Sequence, residues 1–133
     1  MENERRIPIQ SDADIVRARQ LGRELAAELE FTPSDLTVIA SAISELARNI
    51  FSYAGRGEIQ LLVVERNGRR GLRVVARDEG PGIRDPELAL QDGFSTAGRL
   101  GLGLPGVRRL VDQFELNSQV GVGTEITLHK WAR

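Results

Sequence analysis

The chain has 133 residues, 41% hydrophobic and 28% charged, with a net charge of −1 and no cysteine. That length suits a single domain over residues 1–133 with a modest core. Near-neutrality removes any global field toward nucleic acid or membrane, and the lack of cysteine excludes disulfides, thiolate catalysis and cysteine-held metal. No apolar run reaches the length of a membrane span, and the charged start Met1-Glu2-Asn3-Glu4-Arg5-Arg6 leads into no signal-type core. We therefore expect a cytoplasmic protein with no nucleic-acid and no membrane partner.

In chain order, residues 5–9 read as a short strand, placed at an edge by Pro8. Ser11 and Asp14 resemble a capping box that opens a helix from about Asp12 to Glu30, with Ile15, Ala18, Leu21, Leu25 and Leu29 at helical spacing. Thr32 and Pro33 start a second helix as N-cap and first helical residue. Its apolar stripe is Leu36, Ile39, Ile43, Leu46, Ala47 and Ile50, and Gly55-Arg56-Gly57 ends it. Residues 58–65 and 72–78 are two strands of a hairpin around Asn67-Gly68. Asp85-Pro86 suggests a short helix to about Asp92. Residues 93–103 hold four glycines and two hydroxyls and read as a mobile loop. A helix follows from about Leu104 to Gln113, with Val107, Leu110, Val111 and Phe114 facing inward. Two strands, about 114–119 and 124–131, flank Gly121-Val122-Gly123. Helices grouped with antiparallel pairs suggest an α+β, two-layer sandwich, with helices on one face of a mixed, mostly antiparallel sheet.

Three segments carry candidate chemistry. The first is Glu-Leu-Ala-Arg-Asn at 45–49. Glu45 and Asn49 are four apart and share a helix face that points away from the apolar stripe. This is either a solvated face or a cooperating pair. In the second case the Asn49 amide oxygen ligates Mg²⁺ and the Glu45 carboxylate takes a proton from an attacking hydroxyl.

The second segment is Asp-Glu-Gly-Pro-Gly-Ile at 78–83. It is a turn, or a place where Asp78 accepts from the exocyclic amine of adenine while Gly80 and Gly82 leave room for the base. The third is Gly-Arg-Leu-Gly-Leu-Gly-Leu-Pro-Gly at 98–106. Gly101, Leu102, Gly103 and Leu104 bring backbone N–H groups to a helix start, an arrangement suited to an anion; the other reading is a flexible linker, for which a run that is apolar between its glycines is poorly suited. No Gly-Lys-Ser/Thr follows, so it is not a Walker loop. Arg99 meets a terminal phosphate or is simply solvated. Thr124 either hydrogen-bonds a base or favours a strand. His129 reads as a sheet residue, and Trp131 as a packed side chain or part of a partner surface.

Taken together these segments resemble the GHKL ATPase superfamily of gyrase, histidine kinases and MutL. Residues 45–49 look like its N box, 78–82 like its first glycine box, Gly101-x-Gly103 like its second, and Gly123-Thr124 like its last glycine motif. The segment Asp-Gly-Phe-Ser-Thr-Ala-Gly (92–98), Ser-Glu-Leu-Ala-Arg-Asn-Ile (44–50) and Tyr53-Ala54-Gly55 resemble the switch serine/threonine protein kinases of the bacterial stressosome. The resemblance implies a Bergerat ATP fold with ATP and Mg²⁺ as cofactors. It implies Glu45 as general base, Asn49 as metal ligand and Asp78 as adenine partner. It also implies residues 92–103 as an ATP lid, with Ser95, Thr96 and Arg99 among its nucleotide-facing residues. The implied substrates are STAS-domain scaffold and antagonist proteins of the stressosome. The implied output is the N-terminal domain of a PP2C-type phosphatase or another output enzyme. The chain has no phosphoacceptor helix of a sensor kinase, so we expect output through partners; oligomeric state stays open. Two further readings are an anti-sigma factor kinase that binds a sigma factor directly, and a nucleotide-gated binding module with little catalysis.

Overall fold

The computed structural model describes residues 4–90 and 103–132. The elements are β1 (Glu4–Ile9), α1 (Asp12–Ala27), α2 (Pro33–Ala54), β2 (Gly57–Arg66), β3 (Arg69–Asp78), α3 (Pro86–Ala89), α4 (Leu104–Leu110), β4 (Gln113–Gln119) and β5 (Gly123–Trp131). The strands form one sheet in the order β1-β2-β3-β5-β4.

Local signals account for most boundaries. Ser11 Oγ accepts from the Asp14 N–H, while Asp14 Oδ2 accepts from the N–H of Gln10, one residue before the cap. Thr32 Oγ1 accepts from the Asp35 N–H at 3.0 Å, and Pro33 takes the first helical position. Asn67 and Gly68 both have positive φ, 55° and 77°, which matches the twist of a tight hairpin and sets the β2–β3 register.

Three expectations are corrected. The sheet is not mixed, because all four strand pairings are antiparallel. The hairpin turns fix two of those directions, whereas no local pattern specified the long connections that fix the other two. The first helix stops at Ala27 rather than Glu30. Glu30 takes φ 65°, which turns the chain toward α2 and leaves Leu29 buried just outside the helix. The last helix is also shorter, ending at Leu110. Leu110 is 52% exposed rather than inward, and Asp112 already donates its N–H to the His129 carbonyl.

Cross-strand rows make the core. Ile7, Ile59, Ala76 and Ile126 lie side by side, and Leu61, Val74 and Leu128 form the next row. Against them α2 sets Ile39, Ile43, Leu46 and Ile50, all buried, and α1 packs on α2. Side chains alternate along each strand, so Asp78 and Thr124, paired across β3 and β5, face the helices at one end of these rows.

At the opposite end of β5, Lys130 takes an inward position with its side chain 11% exposed. Its Nζ lies 3.7 Å from Asp35 of α2 and 3.8 Å from Asp112. Lys130→Ala leaves two partly exposed carboxylates facing each other. We expect it to lower unfolding free energy by roughly 1–2 kcal/mol, less than for a fully buried pair. Urea denaturation of the variant measures this.

Candidate functional site

Between α2 and the sheet lies a cavity of about 170 Å³. Leu46, Ile50, Ala76 and Ile126 give it an apolar floor, Tyr53 and Leu104 line it further, and Pro81, Gly82 and Ile83 form a rim. Four of its lining side chains carry polar atoms: Asn49, Tyr53, Asp78 and Thr124.

Asn49 lies on the sheet-facing side of α2 and is 9% exposed, so of the two readings of the Glu45–Asn49 face the solvated one does not hold at this residue. Its Oδ1 and Nδ2 have no hydrogen-bond partner among the described residues. A buried amide in that state costs about 1–3 kcal/mol. A helix that keeps one inside a cavity is set up for a ligand that completes it.

Glu45, one turn earlier, is partly exposed. Its Oε2 accepts from the Gly103 N–H at 2.9 Å, and its Oε1 lies 3.5 Å from the Arg48 guanidinium. Gly103 is the N-cap of α4 and brings no side chain of its own to that end, so the carboxylate of α2 serves as acceptor there. A Cβ on Gly103 would come within 3.1 Å of that carboxyl carbon.

Asp78 ends β3 half-buried in the cavity wall. Burial pushes its pKa up, against the opposing pull of the backbone N–H groups of Gly80 and Thr124. The Gly80 N–H donates to Asp78 Oδ1 at 2.9 Å. The glycines after it make room for the chain itself. A Cβ on Gly80 would meet Ala54 at 2.5 Å, and one on Gly82 would strike the Gln119 carbonyl.

A raised carboxylate pKa means the fold favours the protonated form. Asp78 therefore opposes folding at neutral pH, and this penalty fades as pH falls through its folded pKa. Asp78→Asn is expected to raise the melting temperature of the nucleotide-free protein at pH 7, with a gain that shrinks toward pH 4. The same change places a donor where an acceptor stands, so nucleotide affinity should drop about tenfold or more by calorimetry.

Ser118 had no counterpart among the candidate residues. Its Oγ accepts from the Ile83 N–H at 2.7 Å, lies 2.8 Å from Thr124 Oγ1 and donates to the Gly123 carbonyl at 3.2 Å. With its one proton on Gly123, Ser118 accepts from the Thr124 hydroxyl, which leaves Thr124 an acceptor toward the cavity. The alternation Phe114, Leu116, Ser118 along β4 is the sequence signal that puts Ser118 on this inner face. Ser95, Thr96, Arg99, Gly101 and Leu102, with nearly all of the expected lid, lie outside the described residues.

Residues 9–130 match the model of the histidine kinase-like ATPase domain. The chain is 53% identical to the serine/threonine-protein kinase RsbT of Bacillus subtilis, over all 133 residues and the whole of both chains. It belongs to the histidine kinase-like ATPase family, among the RsbT-type serine/threonine-protein kinases. An anti-sigma F factor of Geobacillus stearothermophilus is 33% identical over 120 residues, 85% of this chain and 81% of that one. The structure titled as the SiaB–SiaC complex from Pseudomonas aeruginosa superposes with a TM-score of 0.57 at 16% identity, covering 96% of this chain and 88% of that one, a likeness of fold. ATP is therefore the expected ligand of the family's domain, and the chain is placed among protein kinases acting on serine or threonine. No helix among the described residues is long and apolar enough to cross a membrane.

Proposed function

We propose that this chain is a cytoplasmic, Mg²⁺-dependent switch kinase that moves the terminal phosphoryl group of ATP to a serine or threonine of STAS-domain scaffold and antagonist proteins. Once released from them, it binds an output enzyme such as a PP2C-type phosphatase. The observation that carries the reading is the buried, unpaired Asn49 amide inside the cavity, one helical turn from a carboxylate.

In this reading Asp78 and Thr124 accept hydrogen bonds from the adenine edge, beside Gly80 and Gly82. Among the described residues no group of three carboxylates or histidines stands ready for a metal. A magnesium ion would rest on the Asn49 oxygen, with phosphate and water oxygens completing its shell. When bound, the ion neutralises charge on the transferring phosphoryl group. Glu45 takes the proton of the acceptor hydroxyl as the new O–P bond forms and the bond to the ADP oxygen breaks. Its second oxygen, Oε1, is available for that proton while Oε2 keeps the Gly103 N–H. Gly103 and Leu104 hold the start of α4 beside the cavity, and the family resemblance assigns the phosphate contacts to Ser95, Thr96, Arg99, Gly101 and Leu102.

The test is intact mass spectrometry of candidate STAS proteins incubated with the chain, ATP and Mg²⁺. One added phosphate, lost with Asn49→Ala, is expected. Nucleotide binding without transfer would instead favour a nucleotide-gated binder. The similarity to anti-sigma F factors supports a second reading, direct binding of a sigma factor. Stable capture of a sigma factor with no phosphorylation of STAS proteins would establish that reading in place of the first.

A further inference from the structure

The sheet face opposite the helices carries two kinds of arginine. Arg6 pairs with Glu4 and Glu58, and Arg77 pairs with Glu125. Arg66 and Arg73 are held differently. The Arg66 guanidinium carbon sits 5.3 Å from the centroid of Trp131. Trp131 stacks on His129 with ring centroids 5.7 Å apart and planes 9° from parallel. Arg73 Nε donates to His129 Nε2 at 2.9 Å.

The ladder is built into the strands. Trp131 pairs with Gly71 across β5 and β3, and a Cβ on Gly71 would meet the indole at 2.5 Å, so only a glycine lets the ring lie there. His129 pairs with Arg73 in the same register. Because His129 Nε2 accepts, the imidazole is neutral. Burial, with the Arg73 and Arg66 charges, pushes its pKa down. The ladder's charge is thus that of its two guanidiniums, and neither has a carboxylate partner among the described residues. A stacked guanidinium keeps its N–H edge open to a carboxylate and has already lost much of its rotamer freedom, so a fork-to-carboxylate contact there costs little ordering.

We infer that the Arg66–Trp131–His129–Arg73 ladder is a docking surface for a short acidic segment of a partner protein. The exposed Arg69, at the hairpin tip beside Arg66, extends it over a recess that it shares with Trp131. Acidic side chains flank the strip: Asp112 lines the recess, and Glu115 acts on His129. They would repel a continuous phosphate backbone but leave space for a few carboxylates, which favours a protein segment over nucleic acid. Arg73 stands five residues along β3 from Asp78 and on the other face, about 17 Å away, so the surface is separate from the nucleotide cavity. This inference is independent of the kinase mechanism.

Trp131 is the only tryptophan, so its emission reports on this surface alone. The probe is a blocked octaglutamate peptide, titrated into the full chain at low salt, with a fluorescein-labelled copy followed by polarisation in parallel. We expect saturable binding that changes Trp131 emission and is insensitive to ATP. Arg66→Gln with Arg73→Gln should weaken it at least tenfold, and Arg66→Gln alone should weaken it measurably. Arg17→Gln with Arg23→Gln on α1, an equal loss of charge elsewhere, should not. Absence of saturable binding, an equal loss with the α1 variant, or tighter binding of an eight-nucleotide oligothymidylate would each overturn the inference.

Discussion

Glu45→Ala is expected to leave nucleotide affinity within about twofold and to slow phosphotransfer by roughly 10²–10⁴-fold, the range for losing a positioned general base. Affinity should persist because Glu45 lies outside the cavity lining, whose polar side chains are Asn49, Tyr53, Asp78 and Thr124. The rate should fall because, among the described residues, no other carboxylate lies on α2 within a turn of Asn49. Glu45 also accepts from the Gly103 N–H, so the alanine variant removes a contact as well as a base. Glu45→Gln separates the two. Its amide oxygen still accepts from Gly103, yet it cannot take up a proton at neutral pH. If glutamine restores transfer, Glu45 is a strut for the start of α4 and not a base. If both variants fail equally under single-turnover conditions with saturating ATP, the proton transfer is what was lost. Polarisation of a labelled nucleotide in the same samples checks that binding survives.

What the sequence made legible follows from how local each signal is. Caps, the Asn-Gly turn and the apolar stripe of α2 are set by residues within a few positions of each other, and the structure places them as read. The burial of Asn49 was not legible. At 100° per residue it points away from the stripe, and only the strands and Leu104 arriving from elsewhere in the chain close over it. Ser118 was missed for a related reason. A serine near a strand end has little local meaning until β4 is registered against β5 and it falls beside Thr124. The glycines after Asp78 were read as clearance for a base, but part of their necessity comes from Ala54 and Gln119, distant neighbours that the local sequence does not announce. Long-range pairing thus decided what local pattern could not.

Gly123→Ala is expected to be the most damaging added methyl among the described glycines. Gly123 has φ +147°, a conformation that side-chain-bearing residues rarely adopt, and its added Cβ would run into the Asp78 carbonyl and lie 2.9 Å from the Glu79 Cα. Both obstacles are backbone, so no rotamer change relieves them. Strain at such a φ costs about 1–3 kcal/mol, and forced overpacking adds about 1–3 more, for an expected loss of roughly 3–5 kcal/mol in unfolding free energy. The effect should reach the cavity too. Gly123 precedes Thr124, which pairs with Asp78, and its carbonyl accepts from the Ser118 hydroxyl. Moving β5 off Asp78 displaces both acceptors at once, so the folded fraction should bind nucleotide at least tenfold more weakly. Gly121→Ala is the control. Gly121 also has positive φ, 83°, but nothing lies within 4 Å of its would-be Cβ. It should cost only the backbone strain, on the order of 1 kcal/mol, and leave affinity unchanged. Equal losses from the two alanines would mean that φ alone decides. A larger loss at Gly123, together with weakened binding, would show that the close approach of two strand backbones holds this end of the site in shape.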